Sequence, residues 1–166
     1  MSEVRLFLPI YPGKFLILTY GTMSLFLFYW IFRTWRGLNA SDGKRRWPGV
    51  RTFFAPLTTW SALASLRRNL PTCAERRGIP LGIYGIAFGF MALIPRVLLH
   101  APLLAEMLFL AAPLTLLPAV NAVNKEAIAQ GITVSSLDSM TRNDLLILSG
   151  GASLWLIFIV QTLNAA

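Results

Sequence analysis

Charge is what this sequence has least of. Only 13% of its 166 residues are Asp, Glu, Lys or Arg, where a soluble domain carries about a quarter. Water-facing surface needs charge, and here there is too little to cover a soluble fold. Chemistry-bearing side chains are equally scarce. A single cysteine, Cys73, excludes an intrachain disulfide and a multi-cysteine metal site. A single histidine, His100, excludes a bis-histidine site within one chain. No Gly-rich phosphate loop, histidine pair or nucleophile elbow occurs, so no enzyme is expected. The opening stretch MSEVRLFLPIYPGK is broken by Pro9 and Pro12 and followed by no small-residue cleavage site. The first apolar run is therefore expected to be a retained helix.

Apolar residues make up 55% of the chain, and its mean hydropathy is +0.61. A helix needs about 20 residues at 1.5 Å each to cross a hydrocarbon core. Four segments meet that length: residues 14–32, 79–99, 103–123 and 145–163. The second and third are separated by a link so short that it imposes an antiparallel hairpin. Pro95, Pro113 and Pro118 predict kinks, which neighbouring helices must satisfy. Gly82, Gly85 and Gly89 share one face of the second segment and suit the close approach of another helix. Gly150 and Gly151, in the fourth, read as a packing site.

Ten of the fifteen basic residues fall between the first and second segments: Arg33, Arg36, Lys44, Arg45, Arg46, Arg51, Arg67, Arg68, Arg76 and Arg77. The positive-inside rule places this loop, residues 33–78, in the cytoplasm. Both termini and the His100 turn are then outside, and the Asn124 to Asp144 connection inside. Within the loop, Val50, Phe53, Phe54, Leu57, Trp60, Ala64 and Leu66 recur at helical spacing. The stretch 53–70 is too polar to span, and reads as an amphipathic helix in the membrane interface. The expected fold is an all-α membrane protein, a single domain of four transmembrane helices plus one interfacial helix between the first and second.

Particular motifs carry a resemblance. Pro12-Gly13-Lys14-Phe15, then Phe28-Tyr29-Trp30-Ile31-Phe32-Arg33-Thr34-Trp35-Arg36, resembles the first helix of a bacterial family of small uncharacterised multi-pass membrane proteins, with its Pro-x-Lys-Phe entry and Tyr-Trp-aromatic-x-x-x-Trp signature. Pro48-Gly49-Val50-Arg51-Thr52-Phe53-Phe54 and the segment Leu117 to Asn124 are similar to later parts of that family. Ile31-Phe32 departs from it, since an aromatic followed by Tyr is more usual there. The resemblance implies a location in the bacterial inner membrane and a fold, and no mechanism.

The basic cluster, with Trp30, Trp35, Trp47 and Trp60, is the main candidate site. Four to eight cations beside a membrane helix attract anionic lipid; the same charges also serve topology alone. Nothing accompanies them that would read nucleic acid. A second candidate is an intramembrane polar set of Arg96, His100, Glu106, Asn121 and Asn124. Glu106 suits an ion pair with Arg96 or His100, or else a proton relay. Asn121 and Asn124 suit interhelical hydrogen bonds or a helix cap. No cofactor or metal is predicted, a haem or metal-chlorin on His100 being the alternative. Glu126, Asp138 and Asp144 read as solvated, and residues 138–144 as N-cap candidates for the last helix. The expected function is a non-enzymatic accessory or scaffold subunit of a larger membrane assembly, contacting other subunits and membrane lipids, anionic lipid among them. A small oligomeric transporter or channel is the alternative; a lipid-acting enzyme has no residue set to support it.

Overall fold

The computed structural model describes residues 7–43, 47–70, 80–94, 102–133 and 139–165. Everything regular among them is helical. In chain order the helices are α1 (Pro12–Gly21), α2 (Leu25–Asp42), α3 (Pro48–Phe53), α4 (Ala55–Asn69), α5 (Leu81–Leu93), α6 (Pro102–Ala111), a 3-10 segment (Ala112–Leu116), α7 (Leu117–Ala129) and α8 (Arg142–Ala165). Among the described residues, two stretches are long and apolar enough to cross a membrane, Glu106–Ala129 and Arg142–Gln161. They contain most of the third and fourth expected spans.

The first expected span, 14–32, is not one helix. The chain reverses at Thr22-Met23-Ser24, where Met23 and Ser24 take left-handed backbone angles, φ 50° and 70°. Thr22 makes the reversal possible. Its hydroxyl donates to the Leu18 carbonyl at 2.7 Å and accepts from the Phe26 amide at 3.0 Å. Ser24 N–H donates to the Thr19 carbonyl at 2.7 Å. Groups freed by the break are thereby satisfied, as a buried reversal demands. α1 and α2 then fold back on each other. Phe15 packs edge-on to Trp30 at 5.6 Å between ring centroids, and Trp30 Nε1 donates to the Leu8 carbonyl at 3.2 Å.

Of the stretch 53–70, expected as one interfacial helix, residues 55–69 form the single helix α4; the short α3 precedes it and ends at Phe53, and Pro48 and Pro56 each stand in a first turn. That is where proline costs no hydrogen bond. α4 does not lie apart from the bundle. It runs antiparallel along α5, and the glycine face of α5 is the contact. A Cβ at Gly85 would stand 2.5 Å from the Trp60 Cα, and one at Gly89 would collide with the Pro56 carbonyl. α4 and α5 thus pack against each other along their lengths. Of the expected span 79–99, residues 81–93 are α-helical; 79 and 95–99 lie outside the described residues.

The core lies among α1, α2, α4 and α7, around Phe15, Leu18, Trp30, Trp35, Leu63, Leu66 and Val120. Pro113 opens the 3-10 segment and Pro118 restarts the α-helix behind it. The kinks expected in this helix thus take the form of a tightened turn.

Candidate functional site

One end of the molecule, its base, collects polar groups from distant parts of the chain. Lys14, in the first turn of α1, is 8% exposed. Its Nζ pairs with Asp144 Oδ2 at 2.6 Å and donates to the Ser139 carbonyl at 2.9 Å. Asp144 is held by its own helix start: Thr141 N–H and Oγ1 donate to its carboxylate at 2.8 and 2.7 Å, while the Asp144 N–H donates to Thr141 Oγ1 at 3.3 Å. This reciprocal pattern is a capping box with Asp in the third position. Beside it Asn124, buried at the inner face of α7, clamps the Ile10 backbone. It accepts from the Ile10 N–H at 2.9 Å and donates to the Ile10 carbonyl at 2.7 Å.

The opposite end, the tip, is the α1–α2 reversal. Tyr20 Oη donates to the Leu110 carbonyl at 2.6 Å, and Trp155 Nε1 donates to the Tyr20 carbonyl at 3.0 Å. Gly151 of α8 lies so close to Gly21 that a Cβ there would meet the Thr22 Cα at 2.8 Å. Between base and tip, α8 touches α1 along a narrow line. Only 6% of its spanning stretch is buried. An open groove of about 790 Å³ separates it from α2, bounded by Lys14 and Asp144 at the base and by Phe26, Tyr29, Ile147 and Leu154 along its walls.

Lys14 and Asp144 were expected on opposite sides of the membrane. At 2.6 Å apart they share one end, so the extracellular assignment of the start of α1 does not stand beside a cytoplasmic Asp144. Asp144 and Glu126 were expected in solvent. Asp144 is paired instead, and Glu126 is 3% exposed with Gln130 Nε2 donating to it at 3.2 Å. Asp138 lies outside the described residues.

The predicted basic–aromatic set is divided by the structure. Trp30 and Trp35 are each 1% exposed and belong to the core, so neither presents its ring to lipid or to a partner. Trp47 and Trp60 are exposed, and with Phe53, Phe54 and Leu57 they form an outward aromatic patch on α3 and α4. Arg51 stacks over the Trp35 ring at 4.5 Å, and Arg36 lies 6.0 Å from the Phe32 ring. Arg33 sits half-buried on α2; Arg67 and Arg68 close α4, whose end meets α2 where Asn69 donates to Asp42 at 2.7 Å. Lys44, Arg45, Arg46, Arg76 and Arg77 lie outside the described residues, as do Arg96, His100 and Cys73.

Of the intramembrane polar set, Asn124 is the buried clamp, while Asn121 and Glu106 are exposed. A partnership of Glu106 with Arg96 or His100 falls outside what is described. Among the described residues no three His, Cys, Asp or Glu side chains gather as a metal site. Of the glycine pair expected to form a packing site, Gly151 packs against Gly21, whereas a Cβ at Gly150 would meet nothing within 4 Å; the sequence alone assigns no site role to Lys14 or Thr141. The signals available were the Thr141-x-x-Asp144 spacing and the isolated lysine at the mouth of an apolar run. Compared with known proteins, the chain matches no family profile, no curated protein and no solved structure.

Proposed function

We propose that this chain is an integral protein of the bacterial inner membrane and a non-enzymatic accessory or scaffold subunit of a larger assembly. The observation that carries this reading is α8. Leu145, Leu146, Leu156, Ile157, Phe158, Val160 and Leu163 are all more than half or about half exposed on it, a sheath of apolar surface far beyond what a water-soluble monomer presents. Such a helix requires cover from lipid, from another subunit or from both. The aromatic patch on α3 and α4, flanked by Arg51, Arg67 and Arg68, fits contact with anionic lipid headgroups. The likeness of the first helix to a family of small bacterial membrane proteins agrees with this location.

With the basic segment cytoplasmic, the base faces the cytoplasm and the tip lies deeper. α1 enters from the cytoplasmic side, turns at Thr22–Ser24 and returns as α2, a re-entrant hairpin. The run from α6 to α7 descends toward the base, and α8 leaves it, placing residue 163 outside. A start of α1 on the cytoplasmic side replaces the outside assignment at the beginning of the chain and leaves that of its other end unchanged.

Native pull-down of the tagged chain from its own membranes in mild detergent tests the reading. It predicts recovery of further membrane subunits at fixed stoichiometry; a solitary chain in the eluate contradicts it. A second reading, a small oligomeric transporter, draws on the broken α1–α2 hairpin and the 3-10 interruption before α7, since discontinuous helices line substrate paths in transporters. It predicts flux in proteoliposomes containing the purified chain alone.

A further inference from the structure

We propose that the groove between α2 and α8 is a binding site for one glycerophospholipid, its acyl chain along the apolar walls and its phosphate on Lys14. The inference rests on the membrane location proposed above and concerns a site distinct from the basic aromatic patch.

Three features of the groove select this occupant. The first is its polarity gradient. Its base end holds Lys14, Thr141 and Asp144, and its length toward the tip is walled by Phe26, Ile147 and Leu154. Only an amphipathic molecule matches both ends. The second is the unspent capacity of Lys14. An ammonium has three donors; Asp144 and Ser139 take two. The third donor is left for an anion at the groove's polar end, where Lys14 is the lining cation. A phosphate oxygen is the acceptor that a charged donor of this kind holds most firmly.

The third feature is size. From Asp144 to Leu154 the groove follows ten residues of helix, about 15 Å. The groove holds about 790 Å³, within the range of small-molecule sites, and a flexible hydrocarbon chain can follow its length. The two glycines of α8 are used differently in keeping with this. Gly151 is pressed against Gly21, whereas a Cβ at Gly150, on the groove wall, would meet nothing within 4 Å.

Gly150 therefore supplies the test. A Cβ there has open space, so replacement by Phe directs a ring into the groove, while Leu156→Phe enlarges an exposed side chain elsewhere on α8 and serves as the control. The full chain is reconstituted in vesicles of phosphatidylethanolamine and phosphatidylglycerol, re-extracted in mild detergent and weighed by native mass spectrometry. The wild type and L156F are expected to carry one phospholipid per chain, and G150F about tenfold less. Diacylglycerol, which lacks the phosphate, is expected to compete about tenfold more weakly than phospholipid. Equal retention by G150F and wild type, absence of retained lipid in the wild type, equal competition by diacylglycerol, or a G150F-sensitive dimer in place of a lipid-bearing chain would each overturn the proposal. Lipid retention is read separately from subunit recovery, so a wild type that recovers its partners but holds no lipid refutes the groove and leaves the accessory reading standing.

Discussion

Lys14 and Asp144 show how much a single pair decides in a chain so poor in charge. Removing one member leaves the other charge without its partner in a partly buried site, a loss of about 1–3 kcal/mol, whereas replacing both by apolar groups is often neutral. Lys14→Met is therefore expected to lower the thermal midpoint of the detergent-solubilised protein sharply, and Lys14→Met with Asp144→Leu to recover most of that loss. If the single and double variants unfold at the same temperature, the pair does not stabilise the base. Asn124 is a second case. Asn124→Leu orphans the Ile10 N–H and carbonyl, at about 1–3 kcal/mol for each buried group, and should free the entry to α1 for proteolysis at Tyr11. Neither pair was legible beforehand. Lys14 and Asp144 are 130 positions apart, Asn124 and Ile10 are 114 apart, and periodicity registers neighbours on one helix only.

At the scale of elements, the glycine face of α5 was legible, because Gly82, Gly85 and Gly89 recur at helical spacing in an apolar segment. What covers it was not, since α4 carries enough Thr, Ser and Arg to read as a surface helix. The structure resolves its two faces: Thr59, Ala62, Leu63 and Leu66 inward, Leu57 and Trp60 outward. Gly85→Ala should cost about 1–3 kcal/mol through overpacking against the Trp60 backbone. Gly82→Ala, whose Cβ would sit 3.4 Å from the Ala64 Cβ, should be nearly neutral. Equal effects in an unfolding titration would mean that α4 and α5 do not meet at this face. The reversal at Thr22–Ser24 was invisible for a different reason. Every residue from Phe15 to Phe32 is uncharged, no proline interrupts the run, and an unbroken apolar stretch reads as one span whether or not it doubles back. Ser24 distinguishes the two. In a left-handed position a non-glycine residue costs about 1–2 kcal/mol, so Ser24→Gly should stabilise the hairpin. In a continuous helix the same change would destabilise, by roughly half a kcal/mol relative to serine.

At the scale of the whole molecule, the composition conveyed the class and the helices, because a chain this apolar with so little charge has few other solutions. It did not convey which ends of the helices meet. Counting spans alternately across a bilayer assumes that each apolar run crosses once; a run that turns back shifts the side of everything before it. On the proposed topology the start of α1 therefore lies on the side of the basic loop, because Lys14 stands against Asp144, while the direction of α8 is unaffected. The central claim is thus that Tyr11, Trp47 and Ser139 lie on one side of the membrane and Leu163 on the other. Substituted-cysteine labelling in spheroplasts tests it directly, with Cys73 replaced by Ser and single cysteines placed at these four positions. An impermeant maleimide added outside should label the variant at Leu163 alone, with the other three reacting only after the membrane is opened. Labelling of the Tyr11 variant from outside while the Trp47 variant stays protected would restore a single crossing between them and contradict the hairpin.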